Sequence, residues 1–189
     1  MKDRFTKIQV ATAIAVLFHT IGLVGLLFFD KTFFLQSTPV NLLLMFALIL
    51  WTQTEKNKYF FLFLAACFFV GIAVEIIGIN TKILFGDYTY GNVLGYKVQN
   101  VPLLIGVNWF IIIYCSGISI HTLLMKAINR ISADTGKSPM ALKALSVIID
   151  GATLAVFFDW VMEPVAVKLG YWTWNGDGQS LFIIISAGF

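Results

Sequence analysis

The sequence predicts an all-α protein: a polytopic integral membrane helix bundle of about five complete transmembrane helices plus a truncated sixth, forming one domain over residues 1–189. Three observations carry that expectation. Hydrophobic residues make up 59% of the chain and charged residues 12%, whereas soluble domains carry roughly 25% charged residues. Mean hydropathy is +0.86. The apolar residues also fall in long runs, several near the roughly 20 residues that cross a bilayer, with the charges gathered between them.

The first run, about 8–29, follows the charged start "MKDRFTK". It is longer than a signal-peptide core and continues into "LVGLLFFDKTFF" instead of a small-residue cleavage site, so it reads as a retained helix. The second, about 39–53, is short and opens with Pro39 at a position that helices tolerate. Runs at about 59–79, 102–125 and 140–163 complete the set. The nonamer "LFIIISAGF", 181–189, reads as the start of a further helix. "TEKNK" is a plain polar turn and "INRISADTGKSP" a polar connection.

The loop over 80–101, "NTKILFGDYTYGNVLGYKVQNV", is long, rich in Gly and Tyr, and poor in helix signals. Ordered loops of this length commonly carry function. Gly86, Gly91 and Gly95 permit tight turns or a hairpin, and alternation would put Tyr88 and Tyr90 on one face. The tail segment "LGYWTWNGDG" has similar chemistry. With the N-terminus cytoplasmic, Lys2, Arg4, Lys7, Lys56, Lys58, Lys126, Arg130, Lys137 and Lys143 fall inside; only Lys31, Lys82, Lys97 and Lys168 fall outside. The positive-inside rule favours that orientation, and it puts both aromatic-rich segments on the outer side.

The net charge of +3 and the lack of a Lys/Arg tract argue against a nucleic-acid partner. Cys67 and Cys115 lie in separate apolar runs without a CxxC or clustered His, which argues against a disulfide framework or a zinc site.

Helix rise sets depth. Glu75 falls in the outer half of the third helix, Asn108 and Trp109 in the outer half of the fourth, and Asp159 and Glu163 at the same level of the fifth. Asp159 and Glu163, in "FFDWVMEP", share a face because they are four apart. Asp150, nine residues earlier, lies on the opposite face at about 100° per residue. Two carboxylates in one low-dielectric pocket do not both ionise readily, so one can keep a proton at neutral pH. Plainer roles compete with this one. Trp172 and Trp174 suit an interfacial belt, and Glu163, ahead of Pro164, suits the headgroup region. Asp159 and Glu75 could simply bond a neighbouring helix, Asp87 could be a turn residue, and His19 and His121 suit helix packing.

Two segments, "EIIGINTKILFGDYTYGNVLGYKVQNVPLLIGVNW" and "FFDWVMEPVAVKLGYWTWNG", resemble the membrane-bound carotenoid biosynthesis family that includes the carotenoid 1,2-hydratases, also called bisanhydrobacterioruberin hydratases. That family is similar in turn to the heterodimeric membrane lycopene cyclases. The resemblance runs from about the third helix to Gly176, and it implies further membrane helices beyond the nonamer. It implies an enzyme of the bacterial cytoplasmic membrane that acts on the ends of a linear C40, lycopene-like polyene among lipid and other pathway enzymes. Hydration would begin with proton donation from Asp159, Glu163 or Glu75. The aromatic faces of Tyr88, Tyr90, Trp109 or Trp172 would stabilise the carbocation, and Asn108 or a second carboxylate would hold the water. Asp87 and Tyr171 complete the expected substrate contacts. Neither cofactor nor metal is required. A cyclase, a proton-relaying transporter and a non-catalytic polyene-binding subunit are the competing readings.

Overall fold

The structure is a computed structural model that describes residues 6–131 and 140–175. Among the described residues, six α-helices and four short strands follow one another along the chain. Helix α1, Lys7–Phe28, opens with a capping box in which the Thr6 hydroxyl accepts from the Gln9 amide and the Gln9 side chain accepts from the Thr6 amide. A short helix, α2, Lys31–Gln36, is capped by Asp30; apolar periodicity over six residues is too brief to announce it. Ser37 then leads into α3, Thr38–Thr52, which has proline in its first turn.

Asn57 caps α4, Lys58–Thr81, by accepting from the Tyr59 and Phe60 amides. Helix α5 spans Leu104–Ile131 and α6 spans Met140–Lys168. Among the described residues, four helices are long and apolar enough to cross a membrane: α1, α4, Leu104–Ala127 of α5 and Lys143–Lys168 of α6. Their 22 to 26 residues give about 33–39 Å of helix, more than the roughly 30 Å of hydrocarbon. The fifth expected span, α3, has 15 residues, or about 22 Å. The further helix expected over 181–189, and most of the connection before α6, lie outside the described residues.

Helix α5 is the hub. Helices α3, α4 and α6 all pack on it, α1 packs on α2 and α3, and α4 and α6 flank α5 without packing extensively on each other. One core cluster, Phe60, Cys67 and Phe110, joins α4 to α5, with Phe46 of α3 edge-on to Phe110. The aliphatic and aromatic faces turned outward are numerous, from Val16 and Leu17 on α1 to Phe157 and Val161 on α6. A bilayer, not water, is the solvent that such a surface suits.

The sequence places the end of the last described helix at Glu163, before Pro164. Helix α6 instead continues through Pro164 to Lys168. Proline removes one backbone bond, the one that would reach the Trp160 carbonyl. The added turn buries Ala166 and closes in a Schellman motif. There the Tyr171 amide donates to the Ala166 carbonyl, the Gly170 amide donates to the Val167 carbonyl, and Gly170 takes φ +75°. That stop reverses the chain and sends the tail back over the bundle.

The Gly/Tyr loop is ordered by two small sheets. Lys97–Val98 (β2) pairs with Val101–Pro102 (β3) across Gln99 and Asn100, both at positive φ, the signature of a tight two-residue hairpin. Tyr88–Tyr90 (β1) does not pair within its own loop. It pairs antiparallel with Trp172–Trp174 (β4) from the tail, so that Tyr88 faces Trp174 and Tyr90 faces Trp172. The alternation expected for Tyr88 and Tyr90 holds, because both are buried while Thr89 between them is exposed. The second core cluster lies under this sheet, around Ile72, Leu94, Val101 and Ile105.

Candidate functional site

Between α4, α5 and α6, under the β1–β4 sheet, is a cavity of about 260 Å³. Glu75 comes from α4, Asn108 and Trp109 from α5, and Asp159 and Glu163 from α6. Tyr88, Tyr90, Trp172 and Trp174 form the roof, and Phe85 and Trp160 stand at the sides. No Lys or Arg lines it among the described residues.

The three carboxylates have different surroundings. Glu75, buried at 8% exposure, accepts from the Tyr88 hydroxyl at 2.5 Å and the Tyr90 hydroxyl at 2.9 Å, both on Oε2, and from Trp109 Nε1 at 3.1 Å on Oε1. Glu163 accepts from both roof indoles on one oxygen, Trp174 Nε1 at 2.7 Å and Trp172 Nε1 at 3.2 Å. Asp159 accepts from no donor among the described residues, although it lies within electrostatic reach of both glutamates. The Asn108 amide, half-buried in the same wall, is likewise unbonded among them.

Local structure explains this division. Alternate residues of a strand share a face, so β1 presents two phenols and β4 two indoles to the cavity. Each strand's polar tips converge on a single carboxylate from the helix next to it in sequence. Indole N–H groups donate only, and so do these phenols in their contacts with Glu75. Burial first, then the negative charge of Glu75, pushes the Tyr88 and Tyr90 phenols up, so both remain protonated donors.

On the outer side of the roof, Asp87 receives the Lys82 ammonium at 2.6 Å and the Asn175 amide at 2.9 Å. Asn175 also donates to the Thr89 hydroxyl at 2.8 Å. The Asn175 bond, with Lys82 next, holds the Asp87 carboxyl below the usual carboxylate range. Gly91 fits the turn closely: its amide donates to the Tyr171 carbonyl at 2.8 Å, and a Cβ there would strike the Gly170 carbonyl oxygen.

Of the residues singled out in the sequence, Glu75, Tyr88, Tyr90, Asn108, Trp109, Asp159, Glu163 and Trp172 all line this one cavity. Two do not. Asp87 belongs to the outer clasp, and Tyr171 shares a 2.6 Å hydrogen bond with Thr38, tying the tail to α3. Trp174, which reads as an interfacial residue in the sequence, lines the cavity, as do Trp160 and Phe85. For Trp174 the signal was present, since it lies two residues from Trp172 on the same strand face. Among the described residues, His19 bonds only to its own helix, at the Ala15 carbonyl. Cys67 and Cys115 are free thiols.

A family model described as "carotenoid biosynthesis protein" matches residues 37–183. The match takes in α3 as well as the segments that carry the resemblance, and every cavity-lining residue falls inside it. Helices α1 and α2 lie outside it. No curated protein matches the chain, and no solved structure does. With its membrane helices and a match over most of its length, the chain belongs to the carotenoid biosynthesis protein family.

Proposed function

We propose that the cavity hydrates the terminal isoprenoid double bond of a linear C40 carotenoid, with Asp159 as the proton donor. The observation that carries this reading is the unequal use of the three carboxylates. Glu75 and Glu163 are occupied as acceptors from the roof and α5, which leaves Asp159 as the cavity carboxyl free to exchange a proton with a bound molecule. Glu75 and Glu163 are then positioning residues, which hold the aromatic groups in place.

In this mechanism the Asp159 proton adds to the less substituted carbon of the terminal alkene and leaves a tertiary carbocation. Tyr88, Trp109, Trp172 and Trp174 turn aromatic surface toward that cation, and each such contact stabilises it by about 0.5–2 kcal/mol. Asn108, the other unbonded polar side chain of the wall, holds the water that attacks. The oxygen bonds to the cation and its surplus proton returns to the Asp159 carboxylate, so the acid is regenerated. An apolar wall with few polar groups keeps other water from the cation. The surrounding membrane is the bacterial cytoplasmic membrane, with the N-terminus inside, as the distribution of Lys and Arg favours.

Expression in a host that accumulates lycopene tests the proposal. A product heavier by one water is expected. An isomer of unchanged mass would replace hydration by cyclisation, in which an internal alkene captures the same cation. Unaltered lycopene, with the protein present in the membrane, would overturn both.

A further inference from the structure

The cavity walls differ in exposure. The roof and the α5 wall are the more enclosed: Tyr88, Tyr90 and Ile105 are each 6% exposed, and Trp109, Ile112, Trp172 and Trp174 are half-buried. The α6 side and one loop residue are open: Val156 is 56% exposed, Phe85 38% and Trp160 37%, with Asp159 exposed beside them. Phe85 follows α4 in sequence, yet its ring folds back onto that helix, so that a Cβ on Gly78 would lie 2.7 Å from it. The ring thus sits beside the turn next to Glu75, at the depth of the helix and not above it. Helices α4 and α6 flank α5 without closing on each other. The open residues come from the two sides of that pair, Phe85 lying against α4 and Val156, Asp159 and Trp160 standing on α6.

The geometry points to a lateral mouth: the cavity opens sideways into the bilayer between α4 and α6, framed by Phe85 on one side and Val156 and Trp160 on the other. An apolar chain dissolved in the membrane enters there end first, without passing through water or the roof. The size of the cavity agrees. About 260 Å³ is below the ~300–1,000 Å³ typical of pockets that enclose a whole drug-sized ligand. The end of a long polyene is therefore enclosed, and the rest of the chain leaves through the mouth into the lipid. Phe85 and Trp160 then determine how wide an end group can pass. This inference rests on the polyene reading above.

The test uses the full chain in lipid nanodiscs with a conjugated tetraene fatty acid as the probe. Four of the five tryptophans line the cavity, so energy transfer from tryptophan to the tetraene reports its binding without any turnover. In a Cys115→Ser background, Val156→Cys places a thiol at the mouth and Thr173→Cys places one on the outer face of the roof. Unlabelled Val156→Cys gives the baseline for that variant, and Val156→Phe narrows the mouth without labelling. A bulky maleimide adduct at position 156 is expected to weaken binding at least tenfold, with Val156→Phe in the same direction. The adduct at 173 is expected to change it less than twofold. Loss of binding from the 173 adduct alone, equal loss from both, or no loss from either would overturn the lateral mouth. Saturable tetraene binding without water addition to lycopene would sink hydration and leave the mouth standing. No saturable transfer in the unlabelled protein would overturn both.

Discussion

At the scale of single residues, the cavity separates groups that hold from groups that are free. Glu75 gathers three donors, and hydrogen bonds to a charged acceptor stabilise by about 1.5–3 kcal/mol each. Tyr88→Phe should therefore lower stability by about 1–3 kcal/mol, read as a lower melting temperature in detergent, while some product formation remains. Asp159→Asn should leave that temperature nearly unchanged and abolish product, read by mass analysis of pigments with membrane expression as the control. If the asparagine variant still turns over, Asp159 is not the acid. The convergence of Glu75, Asn108, Trp109, Asp159 and Glu163 was legible in the sequence, because helix rise fixes depth. What was not legible was who bonds whom. Glu163 reads as a proton donor or as a headgroup-seeking residue until two indoles more than eight positions away are seen to bond to it.

At the scale of elements, the long helices were legible and the roof was not. Apolar runs announce α1, α4, α5 and α6 through length alone. The short strands β1 and β4 pair across more than eighty residues, and nothing local in either segment names the other. Pro164 misleads for a similar reason: its local cost is offset by the Schellman stop and the burial beyond it. Gly91→Ala should be severe at this level. Its Cβ meets backbone that cannot step aside, so loss of the β1–β4 ladder is expected, seen as faster amide exchange at Tyr90 and Trp172. The outer clasp makes a pH prediction. Asp87 is held below its ordinary range by Asn175 and Lys82, so the clasp persists at neutral pH and is lost only as pH falls through that lowered value. Amide exchange over residues 87–90 should stay flat from pH 8 to about 5, correcting for intrinsic rates, and rise below the usual carboxylate range of about 4. Asp87→Asn should remove that dependence.

At the scale of the whole molecule, the bundle offers apolar surface on nearly every side and gathers its polar groups at one end of three helices. Orientation is open to direct measurement. Tyr96, 77% exposed in the loop, should label from outside when changed to cysteine, whereas Glu55→Cys between α3 and α4 should label only after the membrane is permeabilised. The reverse pattern would invert the topology. The family match begins just before α3, and α1 packs on α2 and α3 instead of the cavity helices, so the cavity is built by α4, α5, α6 and the roof, all inside the matched segment. That roof has a mechanical consequence. Strand β1 is fastened to α4 through Glu75, β4 to α6 through Glu163, and the two strands to each other, so the flanking helices share a yoke at the end that carries the cavity. Spreading α4 from α6 at that end has to break the β1–β4 ladder or the bonds to the two glutamates, so the yoke fixes the spacing of the walls on either side of Asp159.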